Sequence, residues 1–259
     1  MVLLAKDDVK QPSVIGYLPV IPASPTELST VYLLLKCSLA VADALNQHGV
    51  VMVLDQAIYA LAQDIVAKHQ REFKHVVLRL GDFHICMTLL AVIGKCFTDA
   101  GLHSILVESG IVGPGAVATV LSVKHFNRAI RCHKVIMEAL FRLCWQSFER
   151  WLLDQPQHQK LSEAEQQAMV NVLCDLRARQ CKTSLHVLLS EPAYARLRDV
   201  FCSYMESLQS PLAKLWISYF KMVQLLQQFV RKSRKGLWHL HLQAVHHMLP
   251  WMFAYDHPS

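Results

Sequence analysis

The sequence lacks most of the short motifs that announce a known chemistry. It contains no Gly-x-x-x-x-Gly-Lys-Ser/Thr, no Gly-x-Gly-x-x-Gly and no Gly-x-Ser-x-Gly. Nucleotide hydrolysis on a phosphate loop, dinucleotide binding and serine-hydrolase chemistry therefore have no support. Gly113-Pro114-Gly115 follows no strand pattern and does not make a phosphate loop. Eight cysteines (37, 86, 96, 132, 144, 174, 181 and 202) include no Cys-x-x-Cys pair, which removes zinc knuckles and redox motifs. Nine glycines and ten prolines are too few for a collagen-like or low-complexity chain. Charged residues make up 18% against 53% hydrophobic, the reverse of a disordered composition. Long apolar runs are missing as well. Lys36 and Asp43 interrupt Val31–Leu45, and Ile85–Phe97 is short and carries Lys95, whereas a spanning helix needs about 20 apolar residues. The Met1 end, with Lys6, Asp7, Asp8 and Lys10, does not read as a signal peptide. These absences predict a soluble intracellular protein, nuclear or cytoplasmic, with reduced, buried thiols and no membrane partner.

What is present is helical periodicity and one short α/β pattern. Residues 1–23 have no helical period, and Val14–Pro22 reads as extended because its prolines disfavour helix. Ser24-Pro25-Thr26-Glu27 has the form of a capping box, predicting a helix from there to Asn46. Val50–Leu54 and His75–Leu80 are short apolar runs of the kind found in strands buried on both faces, and a helical stretch joins them. Such a β-α-β unit is expected to be parallel and right-handed. A helix over 83–98 follows, then no further strand. A turn cluster lies at Gly110–Gly115, and a long helix spans 125–153. Asp154–Lys160 is the most linker-like segment, and two or three helices should fill 161–252. The predicted class is mainly α with a small α/β part, a short parallel β-α-β unit followed by a helical layer or subdomain. The predicted organisation is an extended segment (1–23), an α/β core with flanking helices (24–154) and a helical subdomain (161–259).

Two carboxylates fall where chemistry could sit. Asp55 ends the first strand and Asp82 lies just beyond the second, and open α/β sheets bind ligands outside the carboxyl ends of their strands. Adjacent carboxylates suit Mg²⁺, and His84 could join them as a ligand or contact a phosphate. The competing reading is that both acids cap the helices that follow them. His239, His241, His246 and His247 invite a zinc site, but their spacing and the missing cysteine partner favour ordinary helical histidines. The stripe of Trp145, Phe148, Trp151 and Trp216 reads as core. Basic residues cluster twice, at Lys124, Arg128, Arg131 and Lys134, and at Arg231, Lys232, Arg234 and Lys235. With a formal net charge of +6, these are candidate phosphate-contacting residues for DNA or another nucleic acid. A solvated helix face is the alternative.

Several segments carry a resemblance. Asp55-Gln56, Leu78-Arg79-Leu80-Gly81-Asp82-Phe83-His84, Leu89–Lys95, Val107-Glu108-Ser109-Gly110, Asn127–Arg131 and Leu249–Asp256 resemble a multi-copy animal family of transposon-derived proteins. The Gly-Asp-x-His element is also similar to one in RNase H-like, DDE-type transposase relatives. The resemblance covers most of 15–256 and implies an RNase H-like fragment, with Asp55 and Asp82 at the catalytic positions and Mg²⁺ as cofactor if active. A third acid is unassigned, with Glu108 and Glu138 in range. Three departures stand out. Val123 occupies a position where members usually carry glycine, Leu237 one where they carry an acid or amide, and members continue past position 259. The resemblance thus implies a piece of such a protein, catalytically inactive, that retains weak nucleic-acid contact. A helical protein-interaction module, with an apolar face over 193–230 docking another chain, is the second expectation. A Mg²⁺-dependent nuclease using Asp55 and Asp82 is the third.

Overall fold

A computed structural model describes residues 15–156, 160–177, 190 and 192–255. The chain is mainly helical with one small parallel sheet, the class expected. In order, the elements are α1 (Leu28–Ala44), β1 (Val50–Leu54), α2 (Gln56–Lys68), β2 (Val76–Leu80), α3 (Asp82–Phe97), α4 (His103–Glu108) and α5 (Val117–Leu121). Then come α6 (Phe126–Leu153), α7 (Glu163–Arg177), α8 (Pro192–Ser207), α9 (Pro211–Arg234) and α10 (Trp238–Ala254). The described part of 161–252 therefore holds four helices rather than two or three. Pro192 and Pro211 mark breaks by opening the helices after them, where a fixed φ and a missing N–H cost nothing.

Helix ends follow local chemistry, with one surprise at the first. The Ser24 hydroxyl hydrogen-bonds Thr26 and the Glu27 N–H donates to the Ser24 carbonyl, so the expected capping box is a turn and α1 starts at Leu28. Its far end is closed by Asn46 in left-handed backbone (φ 53°), with Gln47 N–H on the Ala42 carbonyl and Asn46 N–H on that of Asp43. The same pair of bonds ends α9 at Gly236 (φ 63°) and α5 at Val123 (φ 62°). Asparagine and glycine accept that conformation readily; a β-branched valine does not.

The chain clusters into two compact units that interleave along the sequence. Among the described residues, one comprises 103–117 and 127–227; the other comprises residues up to 102, 118–126 and those from 228 onward. The division does not fall at Asp154–Lys160, of which 157–159 lie outside the described residues. Residues 15–22, the described part of the extended N-terminal segment, carry no regular element.

The second unit contains the sheet. β1 and β2 pair in parallel with Val50 opposite Val76 and Leu54 opposite Leu80. One face is closed by α1 and α2, where Val31, Leu35, Met52, Ala62, Ile65, Phe73 and Val76 form a buried cluster. The expectation of burial on both faces is corrected: Val51, Val53 and Val77 point the other way and are 63%, 57% and 58% exposed. α3 packs closely elsewhere in this unit, and a Cβ added at Gly94 would lie 2.5 Å from the Leu121 carbonyl oxygen.

Two further expectations need amending. Asp82–Glu108 is long and apolar enough to cross a membrane by length and composition. It also kinks at Gly101 (φ 103°) and buries Leu89, Leu90, Val92 and Ile93, which is how a core helix passes the same test. Among the described residues the thiols are free, and Cys86 and Cys132 are buried whereas Cys37, Cys174 and Cys202 are exposed. Cys181 lies outside the described residues.

Candidate functional site

The two acids sit where β1 and β2 give way to helices, and both are already in use. The Asp55 carboxylate caps α2, accepting the Ile58 N–H at 2.9 Å. Asp82, in the first turn of α3, forms an ion pair with Arg79 through one oxygen and accepts the Ser233 hydroxyl with the other. His84 is half-buried, its ring edge-on to Phe83. Among the described residues no group of three or more His, Cys, Asp or Glu side chains is placed to hold a metal ion. Helix capping and ion pairing thus account for Asp55 and Asp82, and Mg²⁺ would have to displace Arg79 and Ser233 to reach Asp82. Glu138, a candidate third acid, pairs with Arg142 at 2.9 Å.

What the structure builds around Asp82 is a polar cluster that the sequence did not reveal. Arg79 lies 4.5 Å from the Trp238 ring and places one nitrogen 2.9 Å from His241 Nε2. His241 is buried between Trp238, stacked at 5.2 Å, and Phe229 at 4.7 Å. Its Nε2 is also 3.7 Å from Asp82 Oδ1, and its Nδ1 is buried without a hydrogen-bond partner. Burial lowers the His241 pKa; Asp82 opposes that and Arg79 reinforces it. The other histidines of α10, His239, His246 and His247, are exposed, as ordinary helical histidines should be.

The residues of the first basic cluster differ in their placement. Lys124 belongs to the turn that Val123 closes and precedes α6, so it is not on that helix's face. Arg128 and Arg131 are exposed on α6 and make no ion pair among the described residues, while Lys134 is half-buried. Neighbouring His133 is buried: its Nδ1 bonds the Tyr219 hydroxyl at 2.8 Å, and desolvation pushes its pKa down to about 4. In the second run Arg234 is exposed, and Arg231, Lys232 and Lys235 are half-buried.

A concave site lies in the unit built from 103–117 and 127–227. α6, α8 and α9 enclose a groove of about 960 Å³ lined by Phe141, Trp145, Phe201, Met205 and Phe220. Phe141 meets Trp145 at 6.1 Å, Phe201 at 6.0 Å and Phe220 at 6.4 Å, so the wall is continuous aromatic surface. Phe148 alone of the predicted core stripe is fully buried, against Phe201 and Tyr204, whereas Trp145 faces the groove and donates its indole N–H to Glu149 at 2.7 Å. The rim carries Arg142, Arg198 and Lys221 against Glu149 and Glu206. Among the described residues, Arg142 and Arg198 form exposed pairs on their own helices, with Glu138 and Asp199. Apolar concavities of this volume with a few polar groups at the edge are the usual form of a binding site.

One protein-family model, Domain of unknown function (DUF8702), matches residues 1–259. No curated protein and no solved structure matches the chain.

Proposed function

The chain belongs to the DUF8702 family, and from that premise, which carries no activity with it, we propose that it is a helical protein-interaction module. Its groove between α6, α8 and α9 seats an amphipathic helix of a partner chain. The observation that carries this reading is the aromatic wall of Phe141, Trp145, Phe201 and Phe220 inside a groove of about 960 Å³. Aromatic and aliphatic anchors entering such a groove at helical spacing are a recurrent recognition mode. Acidic flanks on that helix would exchange with Glu138 and Asp199 for Arg142 and Arg198, because exposed pairs of this kind are weak.

The test is a fluorescence titration with a synthetic amphipathic helix carrying leucine and phenylalanine anchors one turn apart and glutamates on its flanks. Binding should shift the emission of Trp145. Phe141→Asp should weaken binding by about tenfold or more while leaving the melting temperature of the free protein within a few degrees. Saturable binding that survives Phe141→Asp would remove the groove from the reading, and so would no binding.

A second reading, nucleic-acid contact, is favoured by Arg128 and Arg131, exposed on α6 with no acidic partner among the described residues. Such cations release counterions from a phosphate backbone without reading sequence. Duplex DNA titrated between about 50 and 200 mM salt should bind with a negative log–log slope, and Arg128→Ala with Arg131→Ala should reduce that slope by about 2. Absence of binding at the lower salt would defeat it.

A further inference from the structure

Independently of the groove, the cluster around Asp82 has the construction of a proton-responsive clasp. Arginine has no acceptor, so the 2.9 Å contact between Arg79 and His241 Nε2 requires Nε2 to be the unprotonated nitrogen. The ring is therefore neutral, with its proton on Nδ1, the atom that is buried without a partner. In this state Arg79 joins three parts: Asp82 at the start of α3, the Trp238 face and the His241 ring of α10.

We infer that His241 fastens α10 to the β2–α3 junction only while neutral, and that taking up a proton at Nε2 releases it. A proton there makes Nε2 a donor that faces the Arg79 N–H, so the hydrogen bond between them is lost. Asp82 Oδ1, 3.7 Å away, could accept that proton's hydrogen bond but already holds Arg79. The two cations then compete for one carboxylate beside two aromatic rings. No covalent bond changes; one solvent proton is taken up.

The surroundings make neutrality the resting condition. β2 contributes the Arg79 charge, which disfavours a second positive charge beside it, and α3 contributes Asp82, which favours one. Behind Asp82 on α3 is Cys86, whose thiol burial holds up at about 12 and so adds no charge. α9 contributes the Phe229 ring, the Ser233 hydroxyl on Asp82 and the Arg234 guanidinium acting on Cys86. From α10 itself comes the Trp238 ring. Burial outweighs Asp82, and the ring gives up its proton more readily than a free histidine. The far end of α10 has a separate fastening, Lys95 Nζ donating to the Tyr255 carbonyl at 3.1 Å. Release should therefore open the first turns of the helix and leave the last one docked.

Hydrogen exchange on the full chain between about pH 7 and pH 5, corrected for the intrinsic rate, reads this directly. The amides of Leu242, Gln243, Ala244 and Val245 should lose protection in acid ahead of those near Tyr255. His241→Gln, which can still accept from Arg79 but does not titrate, should remove that pH dependence, whereas His133→Gln should leave it intact. Equal protection of 242–245 at both pH values in the wild-type chain, or the same acid loss in folded His241→Gln, would overturn the inference. Should His241→Gln fail to fold, the wild-type measurement alone still decides.

Discussion

Val123 is held at φ 62° by the bonds that end α5, a backbone state that costs a non-glycine residue about 1–2 kcal/mol. Its side chain is also buried, a contribution of about 1.5–3 kcal/mol for a valine. The two terms nearly offset, so Val123→Gly should leave stability within about 1 kcal/mol of wild type. Val120→Ala in the same helix, with no strain to relieve, should show its full burial cost; paired denaturant titrations compare the two. At the same scale, His133 sets a pH dependence. Its folded pKa of about 4 lies below the ordinary value near 6.5, so the unfolded chain takes up the proton first. The stability it contributes is complete above about pH 6.5 and falls on the order of 3 kcal/mol as the pH drops to about 4. Melting temperatures across that range should flatten in His133→Gln. Single residues were unevenly legible in the sequence. Asp55 as a helix cap follows from residue type and position. The Ser233 hydroxyl on Asp82 and the Arg79 contact to His241 join residues 151 and 162 positions apart, which no local pattern encodes.

Elements were the most legible scale. The runs at 50–54 and 75–80 hold the paired strands Val50–Leu54 and Val76–Leu80, and the helix between them has the length a parallel crossover needs. What the runs could not say is which face would be covered. Alternation along β1 puts Met52 against α1 and α2 and turns Val51 and Val53 outward, although all five residues are apolar. Met52→Ala should therefore cost about 2–5 kcal/mol, and Val51→Thr less than about 0.5 kcal/mol, measured by chemical denaturation. The α1 start shows the converse limit, since a correct capping-box pattern was spent on a turn when the Ser24 hydroxyl met Thr26. The groove was partly legible. An apolar face over 193–230 can be read from composition, but the participation of Phe141 and Trp145 from α6 is a tertiary fact.

At the scale of the whole molecule, each compact unit is assembled from separated stretches of chain. A linker-like segment at 154–160 invited a boundary there, yet residues from 228 onward belong to the unit that holds the sheet. They supply Trp238, His241 and the Lys95 contact at Tyr255. A fragment ending at Gln155 should consequently show no cooperative unfolding transition by calorimetry, whereas the full chain should.

The uncovered valines of the sheet set a colloidal balance for the protein in solution. Each molecule presents a small strip of oily ribbon, and an approach of two strips would be opposed by repulsion between chains carrying a formal charge of +6. Added electrolyte shortens the reach of that repulsion to roughly 8 Å at physiological strength and leaves the strip unchanged. Concentrated stocks should therefore turn turbid on salting and clear on dilution into low-salt buffer.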